Sequence, residues 1–473
     1  MKKSVKLVTI GGGSSYTPEL VQGMINRSDK INISEWWFVD IEEGREKLEI
    51  VMSLAERMIK KSGLPWKIRY TLDRREALEG ADFVTSQFRV GQLDARVLDE
   101  SIPLSRGILG QETNGAGGIF KAFRTIQAYK EIIDDMKELC PDAWLVNFTN
   151  PAGIVTEALI NQLGWKKSIG VCNIPIGQQK AAAKALSLKD NEVYTRHVGL
   201  NHFHFHQIWD INGQDRTAEV IERMYGDLRE EPTETVKNIV NIDYSAKFLR
   251  SLNLLPCDYH RYYFVAPEML EDSKKEFAKG KIRGLVVKEV EKELFELYQQ
   301  PELDTKPKKL EERGGAYYSD IACEIICCMI NHDNRVMTVS TANLGSIPAL
   351  GYHDIGEMSC LITSAGPVPL VTPQIPKFIT GNLQLMKKME LLTVEAAMTG
   401  NYEIALQAFM INPLIPHGDE TEELLQELLL AHEQYLPQFA GDIERIKKEC
   451  PKRVQAVKEI KAWIAKEEEK IYG

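Results

Sequence analysis

No run in this 473-residue chain approaches the roughly 18 consecutive apolar residues that a bilayer-spanning helix needs, so an integral membrane protein is not expected. The apolar run from Leu7 to Ile10 is too short for the core of a secretion signal, and no small-residue cleavage site follows it. Low-complexity tracts, like-charge blocks and internal repeats are also missing, which removes disordered and repeat architectures from consideration. Positive charge is in deficit: 58 Lys and Arg face 68 Asp and Glu, a formal net charge of −10. The deficit runs through both halves with no basic stripe, so a nucleic-acid backbone would be repelled. An anionic small molecule stays open, because a few buried Arg side chains suffice to hold a phosphate. Cysteine is sparse, eight in all, and only Cys323, Cys327 and Cys328 cluster, at the spacing of one apolar helix. Free thiols in a chain of this size point to a reducing compartment, and a cytoplasmic location is expected.

What is present is ordinary for a folded globular protein: 44% hydrophobic and 27% charged residues. The length predicts two substantial domains. Over the first two hundred residues short apolar runs alternate with amphipathic segments, the rhythm of parallel β/α units. Strands are predicted at Val5–Ile10, Glu35–Asp40, Lys67–Thr71, Asp82–Phe88, Trp144–Phe148 and Ser168–Cys172, with helices at Pro18–Asn26, Arg45–Ser62 and Ala122–Leu139. That is the content of a Rossmann-type doubly wound sheet. Beyond about residue 195 the pattern changes. One strand is predicted over Arg196–Ile211, and strand-like runs at Val336–Thr341 and Leu361–Thr363. Helices are predicted at Lys288–Tyr298 and Tyr317–Ile330, with two more after Glu420. The expected fold class is α/β: a doubly wound N-terminal domain, 1–195, followed by a mixed α/β, helix-rich domain, 196–473.

Gly11, Gly12, Gly13, Ser14 and Ser15 follow the first predicted strand and open a helix. Glycines at that point let the backbone turn tightly and approach a pyrophosphate held at the helix N-terminus. The fingerprint is incomplete, since Tyr16 stands where a third glycine is usual. Asp40 strengthens it: ending the second strand, 27 residues after Gly13, its carboxylate is placed to accept from ribose hydroxyls and to repel a 2′-phosphate, so NAD is expected over NADP. The bland alternative is a carboxylate capping the next helix. Asn147–Pro151 closes the fifth strand at the same sheet edge.

Cys172 ends the sixth predicted strand at that edge, and a buried, inert thiol is the commoner meaning of such a cysteine. His202, His204 and His206 alternate with Phe203 and Phe205, so strand geometry places three imidazoles on one face, either as metal ligands or as a solvated polar face. Thiolate and imidazole together suit a divalent transition metal with positions left open for substrate oxygens.

Taken together, Ile10–Tyr16, Arg89–Glu100, Gly110–Gly118, Asn147–Pro151, Gly170–Pro175, Gly199–His202, Tyr259–Tyr263 and Arg313–Asp320 resemble glycoside hydrolase family four over nearly the whole chain. This NAD-dependent family stands outside two-carboxylate glycosidase chemistry. The resemblance implies NAD and a divalent metal, usually Mn²⁺, as cofactors, with Cys172 and His202 as the metal ligands. It implies Tyr259 as the base that deprotonates the sugar and Glu112 as the carboxylate that raises its basicity. Arg96, Asn150 and Arg283 become substrate-binding positions, with Lys279 or Arg261 as alternatives to Arg283. The quartet Cys172-Asn173-Ile174-Pro175 is similar to that of the 6-phospho-β-glucosidase subgroup, whereas α-specific members carry an Asp at the place of Asn173. Asn173 thus occupies a catalytic position, but an amide has no proton to give at neutral pH, and a water or another residue is left to protonate the leaving group. The implied reaction is oxidation at C3, deprotonation at C2, elimination, water addition and re-reduction. It yields glucose 6-phosphate from a 6-phospho-β-glucoside such as cellobiose 6-phosphate, with no net consumption of NAD. A homodimer or homotetramer is implied, with Cys172 in the NAD-binding domain and His202 and Tyr259 in a substrate, metal and oligomerisation domain.

Three other readings compete. An α-anomer specificity within the family is the nearest. A lactate- or malate-type dehydrogenase shares the Asn-Pro turn but leaves the Cys172–His202 pairing unexplained. A non-catalytic NAD- or sugar-phosphate-sensing regulator would need a partner-binding module, and none is visible in the sequence.

Overall fold

Alternation along the first strands decides the layers. In β1 (Ser4–Ile10), Val5 and Leu7 are buried on one face and Val8 and Ile10 on the other. In β2 (Asn32–Val39), Trp36 and Phe38 join the first layer and Trp37 and Val39 the second. Strands buried on both faces need cover on both, and helices supply it. On the first face lie α1 (Thr17–Ile25), through Leu20, Val21 and Met24, and α2 (Arg45–Ser62), through Leu48, Val51 and Leu54. The second face is covered by α3 (Arg74–Leu78) and by Ile132, Ile133 and Met136. Trp36 and Phe38 stack with ring centroids 4.9 Å apart. Each buried side chain of this size contributes ~1.5–3 kcal/mol relative to exposure.

The computed structural model describes residues 4–230, 239–314 and 317–472. After β3 (Lys67–Thr71) come β4 (Phe83–Ser86), β5 (Trp144–Asn147) and β6 (Ser168–Gly170), all parallel, in the spatial order β3-β2-β1-β4-β5-β6. This is the doubly wound order, and it sets the carboxyl ends of these strands along one edge. Three further helices border that edge: α4 (Gln92–Ser105), α5 (Gly115–Leu139) and α6 (Ala152–Glu157).

The chain then extends the same sheet. β7 (Val193–Leu200), β8 (Phe203–Asp210), β9 (Leu255–Pro256), β10 (Arg335–Ala342), β11 (Ile355–Thr363) and β12 (Gly366–Pro369) are joined to their neighbours by antiparallel pairing. β10 lies against β6 through Ser340 and Gly170, which makes one twelve-stranded sheet among the described residues. Two expectations are corrected here. The single strand over Arg196–Ile211 is a hairpin, β7 and β8, because Leu200 pairs with Phe203 and the chain reverses at Asn201-His202. Residue 195 itself lies within β7, and the sheet runs on through it. Three helices, not two, close the chain after Glu420: Asp419–Ala431, Ala440–Glu449 and Pro451–Tyr472. The second break comes at Pro451, which fits the first turn of a helix better than its interior.

Candidate active site

The glycine loop leaves β1 and enters α1. Gly11 has φ +86°, and a Cβ there would lie 2.8 Å from the backbone nitrogen of Phe88. At Gly12 a Cβ would come within 2.7 Å of the Phe38 side chain and 2.9 Å of that of Leu48. The loop is therefore pressed onto the sheet with only glycine fitting, which leaves its outer side free for a close backbone approach to a ligand. Asp40 follows β2 and its Oδ2 accepts from the Gly13 N–H at 2.7 Å, while Oδ1 accepts from Ile41 N–H at 2.9 Å. Burial pushes its carboxyl up, opposed by those two N–H groups. The Ser14 hydroxyl accepts from Tyr16 N–H. Ser15 is buried with its hydroxyl on Glu291 and its carbonyl on the Tyr298 hydroxyl, so any contact it makes with a cofactor falls to its backbone N–H.

Cys172 lies just beyond β6, and His202 sits in the β7–β8 turn at φ +60°. A non-glycine residue in that region costs on the order of 1 kcal/mol or more and persists where its surroundings impose it. Here the turn aims the imidazole back across the sheet edge, and His202 Nε2 lies 3.5 Å from Cys172 Sγ. The reading of three imidazoles on one face is thereby corrected: His202 leaves the strand, while His204 and His206 stay in β8. Sulfur and nitrogen ligands at ~2.3 and ~2.0–2.1 Å from a tetrahedral ion stand ~3.5 Å apart, so the pair fits a shared divalent metal. Burial holds His202 down to about 4, so its imidazole is neutral and ready to ligate. Burial and the nearby Glu357 push the Cys172 thiol up, so taking up a metal must release its proton. Asn173 immediately precedes the helix α7 (Ile174–Ala185) without a side-chain capping bond, and its Oδ1 lies 4.0 Å from Cys172 Sγ.

Tyr259, in the turn Asp258–His260, lays its ring on that of His202, with centroids 3.9 Å apart and planes at 21°. Burial, Glu112 and Cys172 push its phenol well above the ordinary value. Glu112 is buried and accepts from Arg89 at 2.5 Å and Lys121 at 3.1 Å, with Arg96 Nη1 at 3.3 Å. Against its burial, these three cations hold it well below the usual carboxylate range. Arg96 is itself buried and donates to Glu100 at 2.7 Å. Burial pushes the Lys121 ammonium down to about 7, and Arg89 adds to the shift.

Arg283 opens the helix Arg283–Tyr298. Burial first, then Arg96 and Arg313, push its guanidinium down to about 10, and it donates to the carbonyls of Glu312 and Arg313 at 3.0 and 3.2 Å. The alternatives point elsewhere. Arg261 is fully buried on Asp258 and the Ile242 carbonyl, and Lys279 is exposed and paired with Glu276. Asn150 follows β5 and accepts from Ala152 N–H at 3.2 Å. Arg89, Lys121, Arg313 and Glu357, together with Asn201, whose Nδ2 donates to Glu357 Oε2 at 2.9 Å, are not among the candidates that the sequence points to. Arg89 and Arg313 open two of the matched stretches, but Lys121 and Glu357 carry no local pattern that separates them from other charged residues. Gly315 and Ala316, within the Arg313–Asp320 stretch, lie outside the described residues.

A model of the family 4 glycosyl hydrolases matches residues 6–188, and one of the C-terminal domain of family 4 glycosyl hydrolases matches residues 197–415. A probable 6-phospho-beta-glucosidase of Bacillus subtilis is 50% identical over 94% of this chain and 100% of its own length. A 6-phospho-beta-glucosidase of Escherichia coli is 48% identical over 95% of this chain and 100% of its own. The solved structure of the 6-phospho-beta glucosidase from Thermotoga maritima with manganese, NAD⁺ and glucose-6-phosphate has a TM-score of 0.82 at 34% identity, covering 91% of this chain and 99% of that one.

Proposed function

The chain belongs to the family 4 glycosyl hydrolases, and on that footing we propose that it hydrolyses 6-phospho-β-glucosides, such as cellobiose 6-phosphate, to glucose 6-phosphate. The observation that carries the reading is the meeting of Cys172, His202 and Tyr259: thiol and imidazole 3.5 Å apart, with the phenol ring stacked on the imidazole. When bound, NAD supplies reversible oxidation at the sugar C3, and Mn²⁺ or another divalent ion supplies the Lewis acidity that acidifies the hydrogen on C2.

Everything else falls to the chain. The glycine loop and Asp40 hold the dinucleotide, with Gly11, Gly12, Gly13, Ser14 and Ser15 along its pyrophosphate. Arg283, with Arg96 and Arg313, binds the 6-phosphate, and Asn150 orients the sugar. Cys172 and His202 hold the metal, and Tyr259 Oη takes the proton from C2. Glu112, ionised among its three cations, strengthens Tyr259 as a base. Asn173 is confined to hydrogen bonding, and the amide in place of a carboxylate favours the β over the α specificity. The lactate- or malate-type reading is not retained. We also propose a cytoplasmic homodimer or homotetramer; the eight cysteines are all free. No described helix is long and apolar enough to cross a membrane.

The test is a chromogenic 6-phospho-β-glucoside, with and without NAD⁺ and Mn²⁺, beside its α-anomer and its unphosphorylated form. Turnover in D₂O should place deuterium at C2 of the glucose 6-phosphate, since the proton removed there exchanges with solvent. Product without deuterium, from an enzyme active without NAD⁺, would overturn the reading, because two-carboxylate hydrolysis leaves C2 untouched.

A further inference from the structure

Below the turn that carries His202, three other histidines meet. His197 of β7 and His206 of β8 are opposed across the ladder, their rings stacked with centroids 4.9 Å apart, and the His204 ring lies 5.0 Å from that of His197. All three are buried, and their ligating atoms lie within 4.8 Å of one another. The proposed reaction uses none of them.

Two observations separate this cluster from aromatic packing. The first is orientation. Thr338 Oγ1 lies 2.9 Å from His197 Nδ1, and Glu357 Oε1 lies 2.6 Å from His204 Nδ1. The Thr338 hydroxyl can accept from His197 Nδ1–H and so leave Nε2 with the lone pair of a ligand, the arrangement found behind metal-binding histidines, while Glu357 stands as an ion-pair partner beside His204. The second is the state of the remaining nitrogens. His197 Nε2 and His206 Nδ1 are buried without a hydrogen-bond partner among the described residues. A buried polar atom left so costs ~1–3 kcal/mol. Burial holds His197 and His206 neutral, the form that ligates. His204 Nε2 donates to Gln178 Oε1 at 2.8 Å, so an ion bound at this nitrogen displaces that proton and keeps the oxygen within reach as a further ligand. Gln178 and His206 also line a cavity of about 800 Å³, which gives an ion a route in.

We propose that His197, His204 and His206 form a second divalent-metal site, distinct from the Cys172–His202 pair, taking a transition ion of the zinc class. Three imidazoles select such an ion over Mg²⁺ or Ca²⁺, which prefer oxygen. Bonds of ~2.0–2.1 Å require nitrogens ~3.3 Å apart, so the rings draw in by up to ~1.5 Å. Glu357, behind His204, offsets part of the ion's charge. Bound there, the ion ties β7 to β8 and so holds the turn that presents His202.

The experiment is a Co²⁺ titration of the metal-stripped full chain. Wild type should take two equivalents, and Cys172→Ser should keep one, with cobalt bands but no thiolate-to-cobalt charge transfer. That remaining equivalent should vanish when His197→Gln or His206→Gln is added to Cys172→Ser. A single equivalent in wild type with none in Cys172→Ser would overturn the proposal. So would an equivalent that survives both histidine changes. Should the histidine variants not fold, wild type and Cys172→Ser still decide: Zn²⁺ must raise the thermal midpoint of Cys172→Ser, and no rise would overturn the site.

Discussion

As the proposed base, Tyr259 faces an electrostatic problem, since burial, Glu112 and Cys172 all push its phenol up. A cation held by Cys172 and His202 is the group placed to offset this. Tyr259→Phe keeps the ring on His202 and removes only the oxygen. Mn²⁺ and NADH binding, followed by electron paramagnetic resonance and fluorescence, should persist. Turnover should fall ~10²–10⁴-fold, the usual worth of a positioned base. Loss of Mn²⁺ affinity in step with turnover would show that the ring acts by packing. The three-arginine group supports a second prediction. Arg283→Ala should raise the KM for the phosphorylated substrate ~10–100-fold, the worth of ~1.5–3 kcal/mol of charge-assisted hydrogen bonding. NAD⁺ affinity should stay unchanged, and Lys279→Ala, on an exposed side chain already paired with Glu276, should do nothing. An unaltered KM in steady-state kinetics of Arg283→Ala would move phosphate binding to Arg96 and Arg313.

Among the elements, the β1–α1 loop has the least room. Gly12→Ala forces a Cβ against Phe38 and Leu48, and overpacking of that kind costs ~1–3 kcal/mol. Thermal unfolding should show the loss, and NAD⁺ titration should show weakened binding. A variant as stable as wild type with full NAD⁺ affinity would mean that the loop relaxes outward. NADP⁺ should bind markedly worse than NAD⁺, because Asp40 stands at the end of β2 where a 2′-phosphate would arrive; equal affinities would remove Asp40 from that role. This loop was readable in sequence because its pattern is local: strand, glycines and helix lie within Val5–Asn26. The β7–β8 hairpin was not. His202, His204 and His206 keep perfect alternation through a chain reversal, so the period alone could not show that His202 leaves the strand. Glu112 was legible through its motif, but Lys121 and Glu357 matter through neighbours brought together by the fold, and no spacing rule reaches across such separations.

For the whole molecule, buried neutral histidine governs behaviour in acid. Burial holds His202 and His432 down to about 4, and His197, His206 and His260 well below the ordinary value. An unfolded chain protonates these rings near pH ~6.5, whereas the folded chain does not. Stability from this source is therefore complete above about pH 7 and is lost as pH falls from ~6.5 towards 4, at up to ~1.4 kcal/mol per pH unit for each ring. Urea midpoints of the metal-stripped protein should drop steeply between about pH 7 and 5. A flat profile there would show that the rings gain protons while folded.

The pairing of Gly170 with Ser340 also sets an order of events at the ribosome. The edge of β6 stays open until the segment carrying β10 has emerged, ~170 residues later. At ~5–20 residues per second this leaves a bare parallel edge for roughly 10–30 s. An unpaired edge of this kind invites pairing with other chains. Yield of the folded protein in cells should thus depend on how quickly the segment between these strands is translated, and on whether a chaperone covers the edge meanwhile.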